Sequence, residues 1–310
     1  MKKIAIILPC YNESDLIVEF NRSLIQSLKE IPSLFDIVYV NDGSDDNSAQ
    51  IIRDLECNAE NVNISLLDLQ FNVGQQLAIY QGLLYVNDLS YDNVLIMDCD
   101  GEDDPRAIEE ILKHSEKDIV QVIRGKRSES FVFKFFYILY KIIFFLLIGK
   151  KIDYGNFSLV KPRIAAAAVN KSFVHLGAFL NNQKGTKGRV KWDRKKRLDG
   201  NSKMSFRNLF YHGISSLTEN AQDLLFFFVR LSIAISLVIF VLIGVIFYKK
   251  FVINVAILGW SSILLTSFFN SLLICVGFFV LGALQLNLLR KQGVKNKNRN
   301  FTPSVIVKQW

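Results

Sequence analysis

The stretch Val94-Leu-Ile-Met-Asp-Cys-Asp100 places four apolar residues directly before two aspartates that are one residue apart. A short apolar run of this kind fits a buried strand. In a parallel α/β sheet, ligands bind beyond the carboxyl ends of the strands, which is where these aspartates would lie. The stretch therefore predicts an α/β sheet with a polar site at its edge.

Similar apolar runs recur on both sides of this stretch, and segments with helical spacing separate them. The predicted strands cover residues 4–8, 37–40, 64–67, 94–97 and 119–123. Residues 16–28 and 77–86 space their apolar side chains at helical intervals. Strands that alternate with helices predict a doubly wound, mostly parallel sheet.

Asp98 and Asp100 support the main prediction about chemistry. One carboxylate on each side of Cys99 offers two hard oxygen ligands to Mg²⁺ or Mn²⁺, ions that bridge to substrate phosphates. Five of the seven residues from Asp98 to Asp104 are acidic, which is costly without a cation. We therefore expect a metal site with Asp98, Asp100 and Glu102 as ligands. An acidic turn that caps the next helix is the alternative interpretation.

Polar, turn-forming residues also follow the first two predicted strands, in the stretches Pro9-Cys-Tyr-Asn-Glu13 and Asn41-Asp-Gly-Ser-Asp-Asp-Asn-Ser48. They either cap the following helices or bind a ligand. In the second case Asp42 and Glu13 accept hydrogen bonds from a nucleotide base or ribose, and Tyr11 supplies an aromatic wall. The sequence contains neither G-x-G-x-x-G nor G-x-x-x-x-G-K-[ST], which argues against a dinucleotide fold and a P-loop kinase.

Length, charge and cysteine content limit the class of protein. The 310 residues predict two units, because one domain takes ~100 to 200 residues. The net charge of +8 is concentrated at residues 184–207 and 290–299, which suits anionic lipid or phosphate ligands. These clusters lack the interleaved aromatic residues that stack on bases, so we do not expect nucleic acid as a partner. The four cysteines lack the spacing of a zinc or disulfide framework.

The chain after residue 224 predicts a membrane anchor. Residues 231–248 and 251–289 contain no charged side chain, and both segments can supply the ~20 residues that span a bilayer. Because the basic clusters on both sides belong in the cytoplasm, the number of crossings is even. We therefore expect an integral protein of the cytoplasmic (inner) membrane with a two-span hairpin, its catalytic domain and both termini cytoplasmic.

Residues 130–148 are aromatic and aliphatic, but Lys134 and Lys141 interrupt them. These lysines are seven residues apart and share one face of a helix. The segment is either an interfacial helix on the cytoplasmic leaflet or a buried core helix.

Four groups of residues resemble, in order and spacing, the family 2 glycosyltransferases of the GT-A fold. They are Leu8-Pro-Cys-Tyr-Asn-Glu13, Val40-Asn-Asp-Gly-Ser-Asp45, Asn72-Val-Gly74 with Gly82, and Asp98-Cys-Asp100 with Pro105. Asp153-Tyr-Gly-Asn-Phe-Ser-Leu159 and Arg197-Leu-Asp-Gly-Asn-Ser-Lys203 resemble the polyprenyl-phosphate branch of that family. This branch includes dolichol-phosphate mannose synthases and bacterial enzymes that load glucose onto undecaprenyl phosphate. The resemblance is specific as an ensemble.

The resemblance implies a GT-A type α/β sheet, then interfacial helices and a helical transmembrane hairpin. It implies an enzyme of cell envelope glycan synthesis that transfers a hexose, with inversion, from a nucleotide-diphosphate sugar to a polyprenyl (undecaprenyl) phosphate. The expected parts are a catalytic domain over 1–125, an interfacial and acceptor segment over 126–223, the hairpin over 224–289 and a basic tail over 290–310. Membrane lipid is an expected partner, and a homo-oligomer is compatible with the resemblance.

The resemblance also assigns roles to individual residues. The residues expected to bind the nucleotide sugar are Pro9, Tyr11, Glu13, Asp42, Asn72 and Gly74. Asp98 and Asp100 would hold Mg²⁺ or Mn²⁺ against the donor diphosphate. The chemistry of the transfer, argued without the resemblance, adds Arg127, Arg197 and Lys203 as further catalytic residues that would cover the acceptor phosphate. Each of these three cations also fits a solvated surface or a membrane contact.

The chain departs from the family pattern at a few positions, and other functions remain open. Glu102 stands where the family usually has glutamine, and Asn156 and Ser158 replace the Asp and Arg of a Gly-Asp-Phe-Arg-Leu motif. These changes leave the donor sugar open and are compatible with a non-catalytic, membrane-anchored nucleotide-sugar-binding scaffold. A polysaccharide synthase is disfavoured, because the sequence has no Gln-x-x-Arg-Trp motif.

Overall fold

The computed structural model describes residues 1–124, 131–150, 155–193, 215–253, 259–293 and 301–307. The chain divides into two units. The sheet unit contains Met1–Phe135, Asp153–Glu219 and Asn296–Trp310, and the helical unit contains Phe136–Ile152 and Asn220–Lys295.

The strands and helices follow one another along the whole described chain. The strands are β1 (Lys2–Cys10), β2 (Ser33–Asn41), β3 (Val62–Leu69), β4 (Asn93–Ile96), β5 (Ile119–Arg124), β6 (Ser158–Val160), β7 (Lys187–Trp192) and β8 (Phe301–Val307). The helices are α1 (Ile17–Leu28), α2 (Ser48–Arg53), α3 (Gln75–Asn87), α4 (Ala107–Leu112), α5 (Phe131–Ile148), α6 (Pro162–Lys171), α7 (Leu176–Asn182), α8 (Ala221–Phe251) and α9 (Trp260–Gly293).

All eight strands form one sheet in the order β7-β5-β6-β4-β1-β2-β3-β8. The pairs β1 with β2, β1 with β4, β2 with β3 and β5 with β7 are parallel, while β6 and β8 pair antiparallel with their neighbours. The predicted mostly parallel α/β sheet is therefore confirmed. The chain builds β2 and β3 on one side of β1 and then crosses to β4 on the other side. This reversal creates a crevice beyond the carboxyl ends of β1 and β4.

Helices cover both faces of the sheet, which explains why its central strands read as continuous apolar runs. On β1, Ile4, Ile6 and Leu8 pack on the face that α1 and α4 cover, and Ala5 and Ile7 pack on the face that α3 and α6 cover. A Cβ at Gly82 of α3 would lie 2.6 Å from Cγ2 of Ile7. The glycine therefore lets α3 approach β1 closely.

The helical unit contains two long apolar helices, α8 and α9. Leu225 lies against Gly282, and the ring of Phe228 stacks on that of Phe278 with centroids 5.6 Å apart. These contacts run in opposite directions along the two helices, so the pair is an antiparallel hairpin. Ala221–Phe251 and Ser262–Gly282 are long and apolar enough to cross a membrane, and almost none of their side chains are buried. The two predicted apolar C-terminal helices are confirmed.

Helix α5 covers the segment for which an interfacial or a buried helix was expected. Phe144 and Ile148 are buried, whereas Ile142, Phe145 and Leu146 are exposed. The ammonium of Lys150, just past the helix, donates to the carboxylate of Asp223 in the same unit at 2.6 Å. The helix therefore has an exposed apolar surface, and its interfacial position stays a prediction.

The domain organisation differs from the expected one at two places. Residues 155–193 carry β6, α6, α7 and β7 and belong to the sheet unit, although the sequence led us to expect an interfacial segment there. Residues 301–307, expected to be part of a basic tail, form β8. Both additions depend on pairing with strands that are distant in sequence, which local patterns do not encode.

Candidate functional site

The loops that follow β1 and β2 are hydrogen-bonded to each other at the carboxyl edge of the sheet. The backbone N–H of Asn12 donates to the hydroxyl of Ser44 at 3.0 Å, and that of Asp45 donates to Oδ1 of Asn12 at 2.9 Å. The N–H of Glu13 donates to the hydroxyl of Ser48 at 3.0 Å. Several of the turn residues quoted from the sequence thus join one loop to the next.

Asp42 connects the β2 loop to the loop before α3. Its two carboxylate oxygens accept hydrogen bonds from the backbone N–H groups of Val73 at 2.7 Å and Gly74 at 2.9 Å. Burial raises the pKa of Asp42, and these two hydrogen bonds act in the opposite direction. We expected Asp42 to contact a nucleotide, but in this structure it fixes the Asn72–Gly74 loop. A contact with a nucleotide stays a prediction.

Gly43 allows the β2 loop and the β3 loop to approach closely. Its φ is +59°, and a Cβ there would lie 2.4 Å from the carbonyl carbon of Phe71 and 2.5 Å from the nitrogen of Asn72. No side chain fits between these two stretches of backbone. The contact holds Asp42 within reach of Val73 and Gly74.

A further group of polar side chains lies beyond β2 and β3. The amide of Asn41 donates to Asp68 at 2.7 Å and accepts from the hydroxyl of Ser44 at 2.6 Å. Arg53 forms an ion pair with the same Asp68. Sequence reasoning did not single out Asp68 or Arg53, although Asp68 is the charged residue near the end of β3.

Tyr11 and Glu13, both expected to bind the donor, occupy different environments. The Tyr11 side chain is 41% exposed, and its hydroxyl donates to Asp45 at 3.3 Å. The negative charge of Asp45 raises the pKa of Tyr11. Glu13 is buried. The exposed ring of Tyr11 leaves an aromatic surface open at the edge of the site.

Asp98 and Asp100 lie in the loop after β4, at the crevice that the strand order creates. Oδ1 of Asp98 accepts a hydrogen bond from the side-chain amide of Gln75 at 2.8 Å, and the Asp98 backbone N–H donates to Asp103 at 3.0 Å. Oδ1 of Asp100 accepts from the backbone N–H of Glu102 at 3.0 Å. Both aspartates are therefore held by specific neighbours, and Gln75 is one that sequence reasoning missed.

The expected three-carboxylate ligand set is not assembled in this structure. Among the described residues, no group of three or more His, Cys, Asp and Glu side chains is placed to hold a metal ion. Asp98 and Asp100 keep the hard oxygen chemistry that Mg²⁺ and Mn²⁺ require. The backbone N–H of Glu102 donates to Oδ1 of Asp100 and closes an Asx turn. A metal contact of the Glu102 carboxylate stays a prediction.

Pro9 and the two nearby cysteines connect β1 to the aspartate loop. The Cys99 thiol donates to the carbonyl oxygen of Pro9 at 3.1 Å and contacts the thiol of Cys10. The hydrogen bond with Cys10, together with burial, raises the pKa of Cys99. The residue between the two aspartates is thus a buried anchor.

Trp192, at the end of β7, approaches the same loop from the other side. Its indole N–H donates to Asp104 at 3.4 Å, and Asp104 also receives the guanidinium of Arg106. A small cavity lies between this tryptophan and the loop, and Glu102 and Gly155 line it with them. No sequence pattern predicted Trp192 at the site.

Gln76 connects α3 to β6 and α7. Its side-chain amide donates to Asn156 at 3.2 Å and accepts the backbone N–H of Leu176 at 2.7 Å. The hydroxyl of Ser158 donates to the carbonyl of Asn156 at 2.8 Å. Asn156 and Ser158, which replace the Asp and Arg of the family motif, thus take part in hydrogen bonds between uncharged groups. Arg127, Arg197 and Lys203 lie outside the described residues.

Comparison with known proteins identifies relatives of this chain. The family model described as glycosyl transferase family 2 matches residues 5–171. The uncharacterized glycosyltransferase YkcC of Bacillus subtilis is 24% identical over 287 residues, which cover 90% of this chain and 87% of YkcC. The undecaprenyl-phosphate 4-deoxy-4-formamido-L-arabinose transferase of Proteus mirabilis is 29% identical over 132 residues, which cover 42% of this chain and 39% of that enzyme.

Solved structures share the fold at low sequence identity. Glucosyl-3-phosphoglycerate synthase from Mycobacterium tuberculosis, in complex with Mn²⁺, UDP and phosphoglyceric acid, is 12% identical with a TM-score of 0.51. The match covers 72% of this chain and 78% of that one. The complex of the same enzyme with UDP gives a TM-score of 0.52 at 11% identity, covering 72% and 80% of the two chains.

Proposed function

This chain belongs to glycosyl transferase family 2 and is a glycosyltransferase, and from that premise we propose that it transfers a sugar from a nucleotide-diphosphate sugar to a polyprenyl phosphate at a membrane surface, with inversion. The observation that carries the proposal is the position of Asp98 and Asp100. They lie at the topological switch point of a nucleotide-binding type of sheet, in a chain that continues into two helices able to cross a membrane. A membrane lipid is therefore an accessible acceptor.

Two relatives support the substrates that we propose. The Proteus mirabilis relative is named as an undecaprenyl-phosphate 4-deoxy-4-formamido-L-arabinose transferase, and the Mycobacterium tuberculosis synthase was crystallised with UDP and Mn²⁺. For the donor side of this chain, we propose contacts with Pro9, Tyr11, Glu13, Asp42, Asn72 and Gly74. The exposed ring of Tyr11 is available to contact a base.

Asp98 and Asp100 are the residues that would hold a divalent metal ion. When bound, such an ion neutralises charge on a departing nucleoside diphosphate. Gln75 and Asp103 hold the loop that carries these carboxylates, so little reorganisation is needed when the donor binds. Metal dependence is supported by the oxygen-only chemistry of the pair.

The acceptor needs positioning more than activation. A phosphate monoester has a second pKa near ~6, so its oxygen is already an anion at neutral pH. That oxygen forms a bond to the anomeric carbon while the bond to the diphosphate breaks, and the nucleoside diphosphate leaves with the electron pair. We propose that Arg127, Arg197 and Lys203 align the acceptor phosphate, since cations of this kind bind phosphate oxygens.

The membrane arrangement is also part of the proposal. Helices α8 and α9 would anchor the protein in the cytoplasmic membrane, with the sheet unit in the cytoplasm because the basic segments flank the hairpin. The exposed apolar residues of α5 would lie at the bilayer surface. Together these elements would keep the site near the lipid phosphates.

The test is transfer of label into lipid. Purified protein is incubated with Mg²⁺ or Mn²⁺, undecaprenyl phosphate and a panel of radiolabelled nucleotide sugars, and the organic extract is counted. We expect label from one donor, and we expect Asp98→Asn and Asp100→Asn to abolish transfer without loss of folding. Asp54→Asn, an exposed carboxylate on the far end of α2, is the matched control and should remain active.

Three outcomes would contradict the proposal. Near-normal transfer by Asp98→Asn or Asp100→Asn would contradict the proposed role of the metal ion. Transfer that EDTA does not reduce would contradict it too. Nucleotide binding without transfer to any lipid would favour the scaffold function instead.

A further inference from the structure

The first turn of α3 carries two consecutive glutamines that make different contacts. Nε2 of Gln75 donates to Oδ1 of Asp98 at 2.8 Å. Gln76 instead bonds Asn156 and the backbone of Leu176. Of these hydrogen bonds, the one from Gln75 reaches Asp98. Gln75 lies directly after the Asn72-Val-Gly74 motif.

The backbone that carries Gln75 is fixed from several sides. Asp42 accepts the N–H groups of Val73 and Gly74, the two residues directly before it. Gly74 has a φ of +88°, which turns the chain into α3 at this point. The close approach of α3 to β1 at Gly82 fixes the rest of the helix. The backbone of Gln75 is therefore held in place, as is required of a residue that positions another side chain.

The chemistry of a glutamine suits this contact. Its amide donates a hydrogen bond to one carboxylate oxygen, stays neutral at every pH and competes for no electron pairs on the other oxygen. The amide of Gln75 therefore holds Asp98 through Oδ1 and leaves the carboxylate charged, as a ligand for a cation must be. Partners of this kind set the orientation of ligating carboxylates in metal sites.

We propose that Gln75 is a positioning residue that orients the Asp98 carboxylate for a divalent cation. The inference rests on the proposed metal-assisted transfer and deepens it. It also connects the β2 loop to the metal site, because Asp42 fixes the start of the helix from which Gln75 extends. The neighbouring Gln76 is also neutral and lies in the same helix turn, but its side chain bonds Asn156 and Leu176 instead.

The adjacent glutamines provide a matched pair of variants. Gln75→Met and Gln76→Met each keep the side-chain length and helix propensity and remove the amide. The full-length protein in detergent is titrated with Mn²⁺ in the presence of UDP, and free Mn²⁺ is followed by electron paramagnetic resonance. We expect the dissociation constant for Mn²⁺ to rise about tenfold or more in Gln75→Met. In Gln76→Met it should stay within about twofold of wild type, while the unfolding temperature falls.

A second variant and a second measurement separate positioning from folding. Gln75→Asn keeps an amide but is one methylene too short to reach Asp98, so it should weaken Mn²⁺ binding as Gln75→Met does. In the transfer assay, the Mn²⁺ concentration for half-maximal rate should rise in both Gln75 variants. The rate at saturating Mn²⁺ should largely recover, which a folding defect would not allow.

The outcomes distinguish this inference from the proposed function. If wild type binds Mn²⁺ and both Gln75 variants bind it equally well, the inference is wrong and the metal site stands. If the wild-type protein itself binds no Mn²⁺, both the metal-binding role of Asp98 and the positioning role of Gln75 are wrong. Equal loss in Gln75→Met and Gln76→Met would show a general effect of the helix turn and would also overturn the inference.

Discussion

Replacing Gly43 by alanine tests the contact that holds the donor side of the site together. The new Cβ would lie 2.4 Å from the carbonyl carbon of Phe71, whereas ordinary Cβ contacts begin at 3.4 Å. The backbone of the β3 loop must therefore move by about 1 Å. The neighbouring hydrogen bonds from Val73 and Gly74 to Asp42 are expected to lengthen as it moves.

Two energetic costs determine how much unfolding free energy Gly43→Ala loses. Alanine in the left-handed region costs about 1–2 kcal/mol. Forcing atoms into a packed contact costs about 1–3 kcal/mol more. Gly74 shows backbone strain without a clash, because its φ of +88° and ψ of 149° lie in a region nearly restricted to glycine, but a Cβ there meets nothing within 4 Å. We expect Gly74→Ala to lose about 1–3 kcal/mol of unfolding free energy from this strain alone, and Gly43→Ala to lose about 2–5 kcal/mol from strain and clash together.

The assay is urea unfolding of the purified protein in detergent, followed by the fluorescence of Trp192 in the sheet unit. Replacing Trp260 and Trp310 by phenylalanine in all variants isolates that signal. UDP affinity is measured on the same samples and should fall in Gly43→Ala. If Gly43→Ala lost no more than the ~1–2 kcal/mol of left-handed backbone strain, the close backbone contact would not exist in solution.

Two further predictions concern the stability of the sheet unit. The guanidinium of Arg163 and the groups of Thr186 hold the pKa of Asp118 down at about 2. Its charged form therefore contributes stability that is complete above the ordinary Asp pKa of ~3.9 and is lost as pH falls towards 2. The gap in melting temperature between wild type and Asp118→Asn should be constant from pH 7 to about 5 and close between about pH 4 and 2; a gap that widens on acidification would refute the assignment. Gly82→Ala places a Cβ 2.6 Å from Ile7 and should cost about 1–3 kcal/mol in urea unfolding, and an unchanged midpoint would contradict the observed packing.

The central strands could be predicted because burial on both faces makes them continuous apolar runs. The run at residues 4–8 lies inside β1 (Lys2–Cys10), and the run at 94–97 overlaps β4 (Asn93–Ile96). The position of Asp98 and Asp100 beyond β4 followed from the same pattern. These features depend on local sequence and on the general rule for parallel sheets.

The remaining parts of the fold and site depend on contacts that a local pattern does not encode. Strand β6 has three residues, too few for any periodicity, and it joins the sheet between β4 and β5. The contact of Gln75 with Asp98 depends on how α3 is placed on the sheet. Its only signal in the sequence is its position directly after Gly74, where the predicted loop enters a helix.

Strand β8 changes how the two apolar helices relate to the catalytic unit. The chain leaves the sheet unit at residue 219, passes through α8 and α9, and returns to pair β8 with the outer edge of β3. The hairpin is therefore an insertion within the enzyme and not an appendage after it. Cutting the chain before α8 would uncover the backbone of β3 and create an edge prone to aggregation. A water-soluble form should instead bridge the excised helices with a flexible linker and retain residues 301–307.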